Sequence, residues 1–109
     1  MVFDEARIYG NAKIMDEAKV FGNARIHDNA IVCDHSKVFG NAEVYENAKV
    51  SFGALVWQNA KVHGNAKVTD YAEVYGNAEV FGDADIWSGA LVYGEAKVDY
   101  DTYSDDICC

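Results

Sequence analysis

Proline is absent from the 109 residues, and the chain has only nine glycines and three cysteines. Collagen-like and proline-rich low-complexity structures are therefore excluded. Two of the cysteines are the last two residues, which is not the spacing of a disulfide scaffold, so we expect a reducing, cytoplasmic compartment. The longest apolar runs span only a few residues, so we expect neither a transmembrane helix nor a secretory leader. Half of the residues are hydrophobic, which is enough to form a core.

Basic residues are also scarce, and their shortage is confined to one part of the chain. The net charge is −9, from 18 acidic and nine basic residues. Residues 1–69 are neutral overall, whereas residues 70–109 hold ten acidic residues against one base, Lys97. Such a C-terminal third repels nucleic acid and anionic membranes and attracts a basic protein surface. The alternative is that the charge serves only solubility.

A six-residue repeat dominates the sequence. Val or Ile recurs at seventeen positions, every sixth residue from Val2 to Val98. Four residues after each of them comes a small residue, which is Ala in fifteen cases and otherwise Ser36 or Thr102. No residue is inserted or deleted in this stretch. Such self-similarity is typical of a solenoid.

The order of residues within one hexad predicts a short strand followed by a corner. Ala18 and Val20 lie two positions apart, so in a strand both point to the same side and Lys19 points to solvent. The polar pair Gly22-Asn23 follows, and both residue types tolerate the left-handed backbone that a tight corner requires. The 3.6-residue periodicity of a helix is missing.

This motif, aliphatic-x-x-x-small-x, resembles that of the hexapeptide-repeat family over residues 2–98. The resemblance implies an all-β fold, a single-stranded left-handed parallel β-helix of about five and two-thirds triangular coils of 18 residues. Its left-handedness comes from the resemblance alone. We expect residues 1–98 to form the β-helix and residues 99–109 an acidic C-terminal tail or cap. In a cap, Tyr100, Tyr103 and Ile107 would cover the core.

Coils of 18 residues would stack equivalent positions at roughly 4.8 Å, which assigns the outward residues to three faces. On the first face, the residue after each aliphatic position is aromatic in all six coils: Phe3, Phe21, Phe39, Trp57, Tyr75 and Tyr93. We predict a protein interface on this face, formed by Phe21, Phe39, Leu55, Trp57, Tyr75, Leu91 and Tyr93. Two alternatives remain open: the rings stabilise only their own strands, or they form a stacking platform for a sugar or a base.

The other two faces are more polar. The second face carries charges that alternate in sign from Arg25 onward, as cross-strand pairing favours. Its outward pairs are Arg7/Tyr9, Arg25/His27, Glu43/Tyr45, Lys61/His63, Glu79/Phe81 and Lys97/Asp99. The third face has ordinary solvent character, with the pairs Lys13/Met15, Ile31/Cys33, Lys49/Ser51, Lys67/Thr69 and Asp85/Trp87.

The resemblance also raises the question of enzymatic activity, because hexapeptide-repeat proteins are commonly acyltransferases. Those enzymes work as trimers with a histidine base, and inserted loops and a C-terminal extension hold their acyl donor. This chain has no inserted loop and eleven residues after Val98, so we expect a short, loopless member that lacks the acyltransferase extension and is not an enzyme.

A second enzymatic branch of the same fold, the γ-class carbonic anhydrases, binds a metal through three histidines between subunits. His27 and His63 lie 36 residues apart, hence on one face at a separation of about 10 Å. That family's third histidine would fall at Val68, which is an inward position. We therefore expect no metal and no cofactor.

The function predicted from the sequence is that of a non-catalytic protein-interaction module. The acidic rod would form a dimer or trimer and would bind, and inhibit, a partner by blocking its basic nucleic-acid-binding surface, as small acidic proteins of phages and mobile elements do. The acidic partner surface would comprise Glu79, Asp83, Asp85, Glu95, Asp99 and Asp101. Two alternatives are an acyltransferase-like protein and a binder of a nucleotide or sugar between subunits through Tyr9, Arg25, His27 and Tyr45.

Overall fold

The structure, a computed structural model, describes residues 2–108. Eighteen short strands follow one another along this range. They are β1 (Arg7–Ile8), β2 (Lys13–Ile14), β3 (Lys19–Val20), β4 (Arg25–Ile26), β5 (Ile31–Val32), β6 (Lys37–Val38), β7 (Glu43–Val44), β8 (Lys49–Val50), β9 (Leu55–Val56), β10 (Lys61–Val62), β11 (Lys67–Val68), β12 (Glu73–Val74), β13 (Glu79–Val80), β14 (Asp85–Trp87), β15 (Leu91–Tyr93), β16 (Lys97–Val98), β17 (Thr102–Tyr103) and β18 (Asp106–Cys108). No helix in residues 2–108 is long and apolar enough to cross a membrane.

Every third strand belongs to the same sheet, so the chain winds as a parallel β-solenoid. The first sheet is β3-β6-β9-β12-β15-β18, the second is β1-β4-β7-β10-β13-β16, and the third is β2-β5-β8-β11-β14-β17. All pairs are parallel, and Arg7 pairs with Arg25 in the same way that Lys61 pairs with Glu79. The rod measures 30 × 20 × 20 Å. The predicted all-β solenoid with 18-residue coils is confirmed, and its left-handed winding stays a prediction.

The core consists of the two apolar residues of each hexad, the aliphatic one and the small one, which the repeat places inside. Val20, Val56 and Val80 are fully buried, and so are the alanines two positions before them. Burying one such valine contributes about 1.5–3 kcal/mol, so the stability of the rod comes from many equal contributions.

The corners show which residue of the polar pair takes the left-handed backbone. The third residue of the hexad has a positive φ whether or not it is glycine, for example 60° at Asp28 and 69° at Gly22. The asparagine at the fourth position does not share this conformation at Asn23 or Asn29. The third residue therefore takes the left-handed backbone at these two corners, a choice that the tolerance of both residue types had left open.

The fourth-position asparagines form hydrogen-bonded ladders instead. In each ladder, a side-chain Nδ2 donates to the side-chain oxygen of the residue 18 positions later at 3.2–3.3 Å. One ladder joins Asn11, Asn29, Asn47, Asn65 and Asp83, and the other joins Asn23, Asn41, Asn59 and Asn77. The ladders tie consecutive coils together along two of the three corners.

The segment after Val98 adds strands to two of the sheets. β17 pairs with β14, and β18 pairs with β15. Ile107 packs against the core, as expected, whereas Tyr100 and Tyr103 are 53% and 56% exposed. Thr102 pairs with Ile86 and is buried, so it occupies an aliphatic position although the repeat placed it at a small one.

Candidate interaction surfaces

The six aromatic residues of the first face form one continuous stack. Neighbouring ring centroids are 4.6–5.8 Å apart, and neighbouring ring planes lie within 14° of each other. The stack runs through Phe3, Phe21, Phe39, Trp57, Tyr75 and Tyr93. Such pairs contribute about 0.5–1.5 kcal/mol each beyond their buried area. The stack thus stabilises its own coils, which leaves the ring edges as the outer surface of the face.

A second column of outward residues on the first face, formed by the residue directly before each aliphatic position, carries opposite charges at its two ends. Lys19 pairs with Lys37, which pairs in turn with Leu55. Beyond Leu55 come Glu73, Leu91 and Asp106. The face is therefore basic near the first coils, apolar at its centre and acidic near the last coils.

Two exposed aromatic residues beside the first face were missed at the sequence level. Phe52 is 58% exposed and Tyr71 is 75% exposed, and each has a positive φ, of 52° and 64°. They precede Leu55 and Glu73 at the corner that leads into the first sheet. The Tyr71 ring lies against Gly53, where an added Cβ would come within 2.5 Å of a ring carbon. The sequence could have indicated them, since most other hexads have Gly, Asp or Asn at these two corner positions.

A second aromatic stack follows the second face. Its neighbouring ring centroids are 4.7–5.6 Å apart. The stack runs through Tyr9, His27, Tyr45, His63 and Phe81. Both histidines at the second face are thus enclosed between aromatic rings, on both sides.

The nitrogens of these two histidines are also occupied by protein groups. Nε2 of His27 lies 2.6 Å from Oε2 of Glu43, and Nε2 of His63 lies 2.5 Å from Oε2 of Glu79. The Nδ1 atoms lie 3.5 Å and 3.3 Å from the carboxylates of Asp28 and Glu46. Val68, the position of the third γ-class ligand, is fully buried. Carboxylates of the chain itself therefore lie beside both ring nitrogens of His27 and of His63.

The charges of the second face pair along the stack as predicted. Arg25 lies opposite Glu43, with a nitrogen–oxygen distance of 3.5 Å, and Lys61 lies between Glu43 and Glu79. Burial, and then the charge of Glu43, raise the pKa of Tyr45 above its ordinary value of 10.0. The candidate ligand-binding residues on this face therefore contact one another or the carboxylate of Glu43.

Four of the six predicted acidic surface residues gather at one corner of the last coils. Oδ1 of Asp101 accepts a hydrogen bond from the backbone N–H of Asp85 at 3.1 Å. Asp83 accepts one from Asn65 at 3.2 Å. Asp99 lies close to Gly82, the residue before Asp83, since a Cβ added at Gly82 would be 3.4 Å from the Cβ of Asp99. We call Asp83, Asp85, Asp99 and Asp101 the acidic corner.

The other two predicted acidic residues lie elsewhere. Glu79 is on the second face, between Lys61 and Lys97, and its carboxylate contacts His63. Glu95 lies in the turn between β15 and β16, at the corner that joins the first sheet to the second. The acidic corner therefore contains four of the six residues predicted for the acidic partner surface, and Glu79 and Glu95 lie apart from it.

A third cluster joins Asp16, Cys33 and Asp34 within 4.8 Å of one another. The Cys33 thiol donates to Oδ2 of Asp34 at 3.6 Å. Burial, and then the charge of Asp34, raise the pKa of Cys33 above its ordinary value of 9.0. The thiol is therefore neutral near neutral pH, and a neutral thiol is a poor nucleophile and a poor metal ligand.

An open groove of about 640 Å³ runs along the corner that follows the second face. Its walls are Gly10, Asn11, Asp28, Asn29, Glu46, Asn47, Gly64 and Asn65. The asparagine amides in it already bond to one another within a ladder. The groove is polar and shallow, unlike the apolar, enclosed pockets that bind most small ligands.

Comparison with known proteins gives no match: no family model, no curated protein and no solved structure is similar to the chain. The resemblance to the hexapeptide-repeat family therefore rests on the six-residue motif and on a solenoid compatible with it. Membership of that family stays a prediction.

Proposed function

We propose that the protein is a non-catalytic, self-associating interaction module whose acidic corner binds a basic surface of a partner protein. The observation that supports this most is the gathering of Asp83, Asp85, Asp99 and Asp101 at one corner of the part of the chain that holds the whole net charge. If the partner's basic surface normally holds nucleic acid, occupying it inhibits the partner. A cytoplasmic location belongs to this proposal and rests on the sequence alone, since the chain lacks the cysteine spacing of a disulfide scaffold.

The rigidity of the rod favours this function. Consecutive coils are joined by sheet hydrogen bonds and, at the acidic corner, by the end of an asparagine ladder at Asp83. Carboxylates held at fixed positions lose little conformational entropy when they bind, and they raise the rate at which an oppositely charged partner associates.

The two alternative functions have less support. A small-ligand site on the second face would use Tyr9, His27 and Tyr45, yet these rings stack on one another. An acyltransferase-like activity would use a histidine as the base, yet Nε2 of His27 and of His63 contacts a glutamate.

The test uses a defined cationic probe, a fluorescent arginine-rich peptide of about twelve residues, and measures its anisotropy at several salt concentrations. We expect binding that weakens steeply with salt. In the test variant, Asn replaces the four residues of the acidic corner. We expect this variant to bind at least about tenfold more weakly, which is equivalent to ~1.4 kcal/mol.

A matched control removes four charges from the neutral part of the chain, through Asp4→Asn, Asp16→Asn, Glu17→Gln and Asp34→Asn. It has the same net charge as the test variant, so we expect it to bind the peptide at least about threefold more tightly than the test variant does. Equal affinities of the two variants would show that only total charge matters and would refute the proposed site. Circular dichroism confirms that both remain folded.

Inhibition is tested by competition. A labelled single-stranded oligonucleotide is first bound to the same peptide, and the protein is then added. We expect the protein to displace the oligonucleotide without binding it, because both compete for the same arginines. An oligonucleotide that stays on the peptide at saturating protein would contradict the inhibitory role.

A further inference from the structure

We infer that the first face binds a second copy of the chain in antiparallel orientation, which forms a dimer with a twofold axis at Leu55. This inference rests on the self-association in the proposed function and specifies its geometry. The axis lies in the interface, perpendicular to the rod. It places Leu55 and Trp57 opposite their own copies and reverses the order of the coils.

The charge pattern of the face is complementary to itself in this arrangement. Lys37 and Glu73 lie one coil before and one coil after Leu55 in the same column. A twofold axis at Leu55 therefore brings each Lys37 opposite Glu73 of the second copy, and it does so twice. Lys19 comes to lie opposite Leu91, with Asp106 of the second copy one coil away.

Parallel arrangements lack this complementarity. A twofold or threefold axis along the rod would place Lys19 and Lys37 of each copy at the level of the same residues of its neighbour. It would also bring together the C-terminal thirds, each of which carries a charge of −9. Antiparallel packing places these thirds at opposite ends of a rod that is 30 Å long. The length of the rod well exceeds the screening length of about 8 Å at physiological salt, so the repulsion between the thirds is weakened.

The size of the face is sufficient for a stable dimer. A face of 30 Å by 20 Å gives a footprint on the order of 600 Å² per copy, or about 1,200 Å² in total, which lies at the lower end of specific interfaces. Phe52 and Tyr71 border the face beside Leu55 and Glu73 and add exposed apolar surface.

Sedimentation equilibrium of the purified protein at micromolar to tens of micromolar concentration tests this inference. We expect a mass of about twice 12.0 kDa. Lys37→Glu and Glu73→Lys should each weaken the dimer by about tenfold or more, because each change creates two like-charged pairs across the interface. The double variant should restore the dimer, since it only exchanges the two charges.

The control is Lys67→Glu, which makes the same charge change on the third face between Lys49 and Asp85. It should leave the dissociation constant unchanged within about threefold. Restoration of the dimer by the double variant cannot come from a contact between residues 37 and 73 of the same chain. Leu55 lies between these two positions, which are two coils, about 10 Å, apart.

Three results would overturn the inference: a monomer, a mass of three chains, or a dimer that the double variant does not restore. Peptide binding by the same proteins is measured separately. A monomer that still binds the arginine-rich peptide at its acidic corner would remove the dimer and leave the partner site standing. A dimer that does not bind the peptide would remove the partner site and leave the dimer standing.

Discussion

Two buried serines, Ser36 inside the coils and Ser51 on the third face, provide a test of the packing, because the same substitution should have opposite effects at the two sites. Ser36 takes the place of the usual alanine, and its Oγ donates a hydrogen bond to the carbonyl of Cys33 at 2.7 Å. Ser51 is only 1% exposed, and its Oγ has no hydrogen-bond partner among the described residues. Ser36→Ala therefore removes a buried hydrogen bond, whereas Ser51→Ala removes an unsatisfied hydroxyl.

The magnitudes follow from these contacts. Losing the Ser36 hydrogen bond should lower the free energy of unfolding by about 1 kcal/mol, the usual net value of such a bond. An unsatisfied buried hydroxyl costs about 1–3 kcal/mol, so Ser51→Ala should raise the free energy of unfolding by about 1 kcal/mol or more. The two variants should therefore differ by roughly 2 kcal/mol.

Urea unfolding followed by circular dichroism measures this difference. The midpoint should move down for Ser36→Ala and up for Ser51→Ala, while the slope stays that of the parent protein. If Ser51→Ala is destabilised as much as Ser36→Ala, the Ser51 hydroxyl makes a favourable interaction and the reasoning is refuted.

Two further predictions concern the core and the thiol. Val56→Asp places a carboxylate in a dry core and should cost several kcal/mol, whereas Lys61→Asp on the exposed side should cost under about 1 kcal/mol; similar melting temperatures would contradict the register. Folding raises the pKa of Cys33 above 9.0, mainly through burial, so the contribution of the neutral thiol to stability is complete below pH 9 and is lost as the pH rises through the folded-state value. Cys33→Ala has no thiol to ionise, so its free energy of unfolding in urea should decrease less between pH 8 and pH 10 than that of the parent. An equal or larger decrease for the variant would contradict the raised pKa.

The sequence was sufficient to predict the coil but not the details of its corners. The alternation of Ala18 and Val20 fixes which residues point inward, and the unbroken repeat fixes the 18-residue register. The corner pair Gly22-Asn23 contains two residues that tolerate a left-handed backbone, so the pattern could not decide between them. Only the stacking of coils shows that Asn23 is needed for its side-chain ladder.

The candidate surfaces were predictable where they depend on the coil and unpredictable where they depend on side-chain reach. The aromatic stack of the first face follows directly from positions 18 apart. Glu79 instead reaches diagonally to His63, 16 residues before it, so the charge count alone wrongly treated Glu79 as free for a partner. The last coil is shorter than the others, since Thr102 pairs with Ile86, and the repeat gives no sign of that change.

The constant 18-residue offset also limits how the length of this protein can change. Deletion of one hexad ahead of Tyr75 would keep every valine buried, yet it would move Tyr75 from the first face to the third, at the position of Thr69. Deletion or duplication of 18 residues would return each side chain to its own face. Insertions and deletions that preserve the surfaces are therefore expected in whole coils, and each added coil would lengthen both aromatic stacks by one ring.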